Sequence, residues 1–131
     1  MSTHAVKKID EMEAVYGGAF KRARAELGVE SFGMQIIDLP ASYDGYPEHD
    51  HAEDGQEEVF IALRGDGEIE IAGDRFRLDS DHVARVASGT KRKIWPGEGG
   101  IRLLVLGGIP GKAYEAPDIS KLGVPDPMAA S

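Results

Sequence analysis

At 131 residues and 14.1 kDa the chain has room for one domain with a real hydrophobic core and no room for a second. A formal charge of -8 and a pI near 4.9 argue against nucleic acid and anionic membranes as partners, since both demand a basic surface. There is no cysteine, so disulfides, thiolate nucleophiles and cysteine zinc sites are excluded, and with neither an apolar signal core nor a membrane-length apolar run the expected location is the cytoplasm.

In chain order, Ile9, Met12, Tyr16, Phe20, Ala23 and Leu27 recur at spacings of three and four, the period of an amphipathic helix that Asp10 would cap and Gly28 would end. Gly17-Gly18 interrupts it at about 1 kcal/mol per glycine, so residues 1–31 read as a helical segment, in one piece or as two short helices with a bend. From Phe32 the texture changes to short β-prone runs split by turn residues: 32–39, 58–63, 68–71, 75–78, 82–86, 91–95 and 101–106. That series predicts an all-β antiparallel sandwich or barrel over residues 32–108. Apolar and charged residues alternate on both sides of Ala72-Gly73-Asp74, which predicts a hairpin with one face in the core. Pro96-Gly97-Glu98-Gly99-Gly100 predicts another turn, and residues 109–131, rich in Gly and Pro, an extended arm.

His49-Asp50-His51, followed by Glu58, is where chemistry is expected. Residues two apart on an extended chain face the same way, so the two imidazoles can converge on one point. Glu58 opens the apolar run Val59-Phe60-Ile61-Ala62-Leu63 and could add a carboxylate from a neighbouring strand. Two neutral imidazoles and a carboxylate, with positions left open, suit iron(II), manganese, nickel or zinc. Phe60, two residues past Glu58, would share its face and line a pocket, or serve as core; Tyr46 could reach the pocket mouth.

The order His, any residue, His, a short gap, Glu, six residues, Gly resembles the first motif of the cupin superfamily. Val59 through Arg64 fill the Glu-to-Gly interval and select Glu58 over Glu57, with Gly65 closing the motif. Asp81 through Thr90 is similar to the second motif, but Ser88 stands where a proline is usual and Arg92 where a histidine would be the fourth ligand. The resemblance covers residues 32 to 108. It implies a cupin-type antiparallel β-barrel of two packed sheets, here with the helical segment outside it, and a homodimer.

Arg92 sharpens the functional expectation. A guanidinium about 5 Å from a divalent ion is repelled by roughly 6 to 7 kcal/mol at an effective dielectric of 20, and Glu58 would offset about half. Arg92 would then hold an anionic substrate group, pair with Glu58 in a metal-free protein, or face outward on a strand shifted by one residue. The favoured expectation is a metal-dependent enzyme, an oxygenase or an isomerase or cyclase, acting on a small anionic molecule. Its metal ligands would be His49, His51 and Glu58, and its substrate-binding residues Arg92, Phe60 and Tyr46. The alternative is a non-catalytic small-molecule binding or sensor protein.

Overall fold

Burial alternates along the long strands, and this alternation decides which side chains meet inside. The computed structural model describes residues 3–129. In chain order it contains strands β1 (Ala14–Val15) and β2 (Phe20–Lys21), helix α1 (Ala23–Leu27), and strands β3 (Gly33–Leu39), β4 (Glu57–Ile71), β5 (Asp74–Leu78), β6 (Val83–Val86) and β7 (Arg92–Gly108). All pairings are antiparallel, in the order β1-β2-β3-β7-β4-β5, with β6 on β4. The path is folded into a β-sandwich whose sheet does not close, so the closed barrel is corrected to an open sandwich.

β4 and β7 each absorb two of the predicted strands. The Gly-rich stretches that read as turns are accommodated within the strands by register shifts between Ala62 and Arg64 and between Gly65 and Gly67. Such bulges bend a strand and let one ladder serve both halves of a sandwich. The inner faces meet in a core that includes Leu39, Phe60, Ile69, Leu78, Ile94 and Leu103. Gly65 has φ +76, and a Cβ there would lie 2.2 Å from the carbonyl oxygen of Gly100 on β7. Gly65→Ala should therefore cost about 2 kcal/mol, combining left-handed strain with a backbone shift. A urea midpoint indistinguishable from wild type would show that the bulge can move freely.

The helical reading of residues 1–31 is also corrected. Tyr16, Gly17 and Gly18 all have positive φ and turn a small hairpin between β1 and β2, leaving a single turn of 3-10 helix at Ile9–Glu11 and five residues of α1. Gly28 ends α1 in the left-handed conformation, as expected of a C-cap. The apolar period was real in the burial of four of its six residues though not in its geometry: Ile9, Met12, Ala23 and Leu27 pack with Ile36 on the outer side of β3, whereas Tyr16 is exposed and Phe20 lies outside this cluster.

Two buried arginines fasten the ends of the chain. Arg102 donates to both carboxylate oxygens of Asp38 (2.7 and 3.0 Å) and to Asp10 (2.5 Å), holding the N-terminal segment to the sheet. Arg22, 1% exposed, donates Nε to the Ile119 carbonyl (2.7 Å) and Nη1 to Glu13 (2.6 Å), while Gly123 N–H donates to the same Glu13 oxygen (2.9 Å). The β1–β2 hairpin and the C-terminal arm are thereby tied side by side. Among the described residues no helix is long and apolar enough to cross a membrane.

Candidate metal centre

On β4, Glu58, Phe60 and Ala62 are the buried members of the alternation, so Glu58 points inward. His49 lies in the loop before β4 but pairs with Arg92 as an isolated antiparallel bridge: His49 N–H donates to the Arg92 carbonyl (3.0 Å) and Arg92 N–H to the His49 carbonyl (2.9 Å). Directly opposed residues share a face, which sets the His49 side chain on the inward side with Arg92. His51 is fixed through its own N–H to the Ser88 carbonyl (2.7 Å), and its carbonyl accepts from Gly55 N–H (2.8 Å).

One nitrogen, one nitrogen and one carboxylate oxygen from His49, His51 and Glu58 all lie within 4.8 Å of one another. The outer ring nitrogens are already committed. His49 Nδ1 is 3.0 Å from the Pro47 carbonyl, which can only accept, so Nδ1 carries the proton and Nε2 keeps its lone pair. His51 Nδ1 is 3.0 Å from Asp54 Oδ2. His51 Nε2 is buried and sits 3.2 Å from Glu58 Oε1. Imidazoles whose Nδ1 binds a carbonyl or a carboxylate while Nε2 faces a common point are oriented as metal ligands are. The donor set therefore fits a divalent ion.

Arg92 is fully buried, so the strand is not shifted and Arg92 does not face solvent. Its Nη1 donates to Glu58 Oε1 (2.9 Å) and its Nη2 to the Ala87 carbonyl (2.8 Å). The guanidinium sits behind Glu58 and, like Phe60, is not among the residues lining the cavity in front of the histidines. Phe60, 0% exposed, belongs to the core. Tyr46 does line the cavity, its ring 5.6 Å from that of His49. Lys93 holds the loop that carries it, donating to the carbonyls of Asp44 (2.9 Å) and Tyr46 (2.5 Å).

The cavity has a volume of about 550 Å³. His49, His51 and Glu58 line one part, and Tyr16 and Phe20 of the N-terminal hairpin and Tyr114 and Ile119 of the C-terminal arm another. The last four and Asp54 escaped the sequence reading. No local pattern marks Tyr114 or Ile119, because long-range contacts, among them Arg22 to Ile119 and Gly123 to Glu13, bring the arm here; Asp54, three residues after His51 in a polar loop, was the one with a signal.

The Glu58 carboxylate beside it pushes the His51 imidazole up to about 9, against burial that pulls it down, with Asp54 adding to the rise. Burial, with Glu58 next, holds the Tyr46 hydroxyl well above its ordinary range. A raised histidine contributes stability that is fully present below its unfolded value of about 6.5 and is lost as pH rises through the folded one. In the metal-free protein His51 should therefore titrate near 9 by NMR, and Glu58→Gln should bring it down. A wild-type midpoint near 6.5 would contradict the Glu58 contact.

No protein-family model matches the chain, and no curated protein matches it in sequence. Solved structures do. A cupin protein from Bacteroides fragilis superposes with a TM-score of 0.68 at 22% identity, over 89% of this chain and 93% of that one. A predicted oxalate decarboxylase from Thermotoga maritima gives 0.54 at 20% identity, over 60% and 68%. The cupin domain of an XRE-family transcriptional regulator from Enterobacter cloacae also gives 0.54 at 20%, over 63% and 86%. At these identities the likeness speaks to architecture, and together with the open antiparallel sandwich it makes this chain a small protein of the cupin fold.

Proposed function

We propose that the protein is a metal-dependent enzyme, of oxygenase or of isomerase or cyclase type, that holds a divalent ion through His49, His51 and Glu58 and acts on a small organic molecule in the adjoining cavity. The observation that carries this reading is the convergence of three donor atoms within 4.8 Å at the wall of a roughly 550 Å³ cavity. An ion bound there would supply a Lewis acid with open positions or, as iron, a centre for dioxygen chemistry. The chain's own contribution is orientation: Pro47 and Asp54 fix the imidazoles, Arg92 fixes the carboxylate, and Tyr46 narrows the space beside His49. Arg92 is engaged by Glu58 and Ala87 and lies outside the cavity lining, so the support for an anionic substrate through Arg92 falls away; an acid would have to attach to the ion itself.

Elemental analysis of protein purified without chelator should find close to one divalent ion per chain. His49→Ala and His51→Ala should each lower occupancy at least tenfold with the fold retained, since neither imidazole belongs to the core cluster. Metal-free protein that stays metal-free on titration with Mn(II), Fe(II), Ni(II) and Zn(II) would overturn the reading.

A second reading has its own observation: the buried Arg92–Glu58 pair supplies Glu58 with a counter-charge and needs no metal. In that case the protein is a binding or sensor module. A predicted oxalate decarboxylase and a regulator domain both being among the structural neighbours, fold does not choose between enzyme and sensor. Metal content does.

A further inference from the structure

The cavity beside the histidines does not end at its own wall. A second chamber of about 430 Å³ adjoins it, and Tyr16, Phe20, Ile37, Tyr46 and Pro47 line both. Tyr43, Met128, Leu39 and Pro40 close the far chamber. Tyr16 and Phe20 stand edge to face on the shared boundary, ring centroids 6.1 Å apart. Each chamber is of the size that holds a drug-sized molecule or a good part of one.

Charge then narrows the ligand. Among the described residues no Lys or Arg lines either chamber, and the lining acids are Asp54 and Glu58 in the first and Asp38 in the second. All three have partners: Asp54 has His51 at 3.0 Å, Glu58 has Arg92 at 2.9 Å, and Asp38 has Lys21 and Arg102, each at 2.7 Å. In the metal-free protein a ligand carboxylate would find no free cation on these walls, and a ligand amine no free carboxylate; an ion held by His49, His51 and Glu58 would be the one place an acid could attach. Burying a charge without a partner costs several kcal/mol, whereas aromatic walls favour flat apolar groups.

We propose that the two chambers together take an elongated ligand with no charge outside its head, the head a hydroxyl-bearing group at His49, His51 and Glu58 and the rest an aromatic or otherwise flat apolar tail reaching the chamber of Tyr43 and Met128. Only the placement of the head rests on the metal reading. The tail rests on the walls and their charge balance.

Phenol and 4-phenylphenol, which differ by one ring, serve as probes, with succinate as the small anion. Binding of each to the full chain, metal-free and with Mn(II), is measured by calorimetry. 4-Phenylphenol should bind at least tenfold more tightly than phenol, and in the metal-free protein succinate more weakly than either. Tyr43→Ala should cut that ratio at least fivefold. So should Met128→Ala, and both positions are exposed enough (43% and 63%) to change without unfolding the protein. Val83→Ala, on β6 outside both chambers, should leave the ratio in place. Equal affinity for the two phenols, a ratio untouched by both chamber variants, or tightest binding of succinate to the metal-free protein would overturn the proposal. If Mn(II) binds but the ratio is absent, the ligand class falls and the metal reading stands. If the Tyr43-dependent ratio appears in protein that binds no metal, the reverse holds.

Discussion

Glu58→Ala should destabilise the protein by about 3 to 5 kcal/mol, because it leaves a fully buried guanidinium with no counter-charge. Arg92 would keep its Nη2 bond to the Ala87 carbonyl, but its Nε already lacks a partner, so little in the surroundings could take over from the lost carboxylate. Glu58→Gln retains an acceptor for Nη1 and should cost less. Replacing both residues with apolar ones of similar size, Glu58→Leu with Arg92→Met, should recover much of the loss, since the pair's value lies mainly in not leaving either half alone. Urea denaturation of the four proteins is the measurement. An alanine variant within about 1 kcal/mol of wild type would mean that Arg92 finds solvent on its own. The practical corollary is that loss of activity in a Glu58 variant says nothing about metal binding until stability has been measured beside it.

Arg92→His should tighten divalent metal binding by at least tenfold. A cation about 5 Å from the ion is removed, a repulsion of roughly 6 kcal/mol at an effective dielectric of 20, and a fourth imidazole-bearing position replaces it. The expected gain is well below the Coulomb figure because the shorter side chain leaves space and Glu58 must reorient. Without metal, Glu58 loses its partner, so the variant should be less stable than wild type as purified free of metal and regain stability when Zn(II) or Mn(II) is added. Paired titrations of metal affinity and melting temperature give both halves. Unchanged affinity would place the guanidinium too far from the ion to matter and leave the Arg92–Glu58 pair as structure alone.

The elements that sequence revealed were those whose information is local. His49 and His51 declared themselves by spacing, Glu58 by its interval to Gly65, and the β5 hairpin by alternation around Ala72-Gly73-Asp74, which the structure pairs as expected, Ile69 against Phe76. Burial of Arg92 could be placed only once the register of β7 was known, because a slip of one residue turns the same sequence inside out. Gly65, Gly67 and the Pro96 to Gly100 stretch were read as chain reversals; bulges let a strand carry them instead, a choice set by the partner ladder and invisible in the segment itself. The N-terminal apolar period reported true burial and the wrong local structure. Two adjacent glycines that tolerate positive φ tipped the segment into a hairpin, while Ile36 and its neighbours on β3 still collected the apolar side chains. Tyr114 and Ile119 reach the cavity through long-range contacts such as the tie at Arg22, and no sequence pattern foretells a contact at that separation.

That tie sets an order of assembly. Arg22 bonds a residue 97 positions away, and Glu13 bonds one 110 away, whereas the last strand of the sandwich ends at Gly108. The strand pairings are complete by Gly108, but the cavity wall cannot be finished until the arm through residue 123 has docked. A chain that has formed every strand pairing but not yet docked the arm would lack one wall of the cavity and so could not enclose a ligand. Competence to bind would arrive as a separate, late step, after the sheet, in keeping with the slow closure of the longest loops.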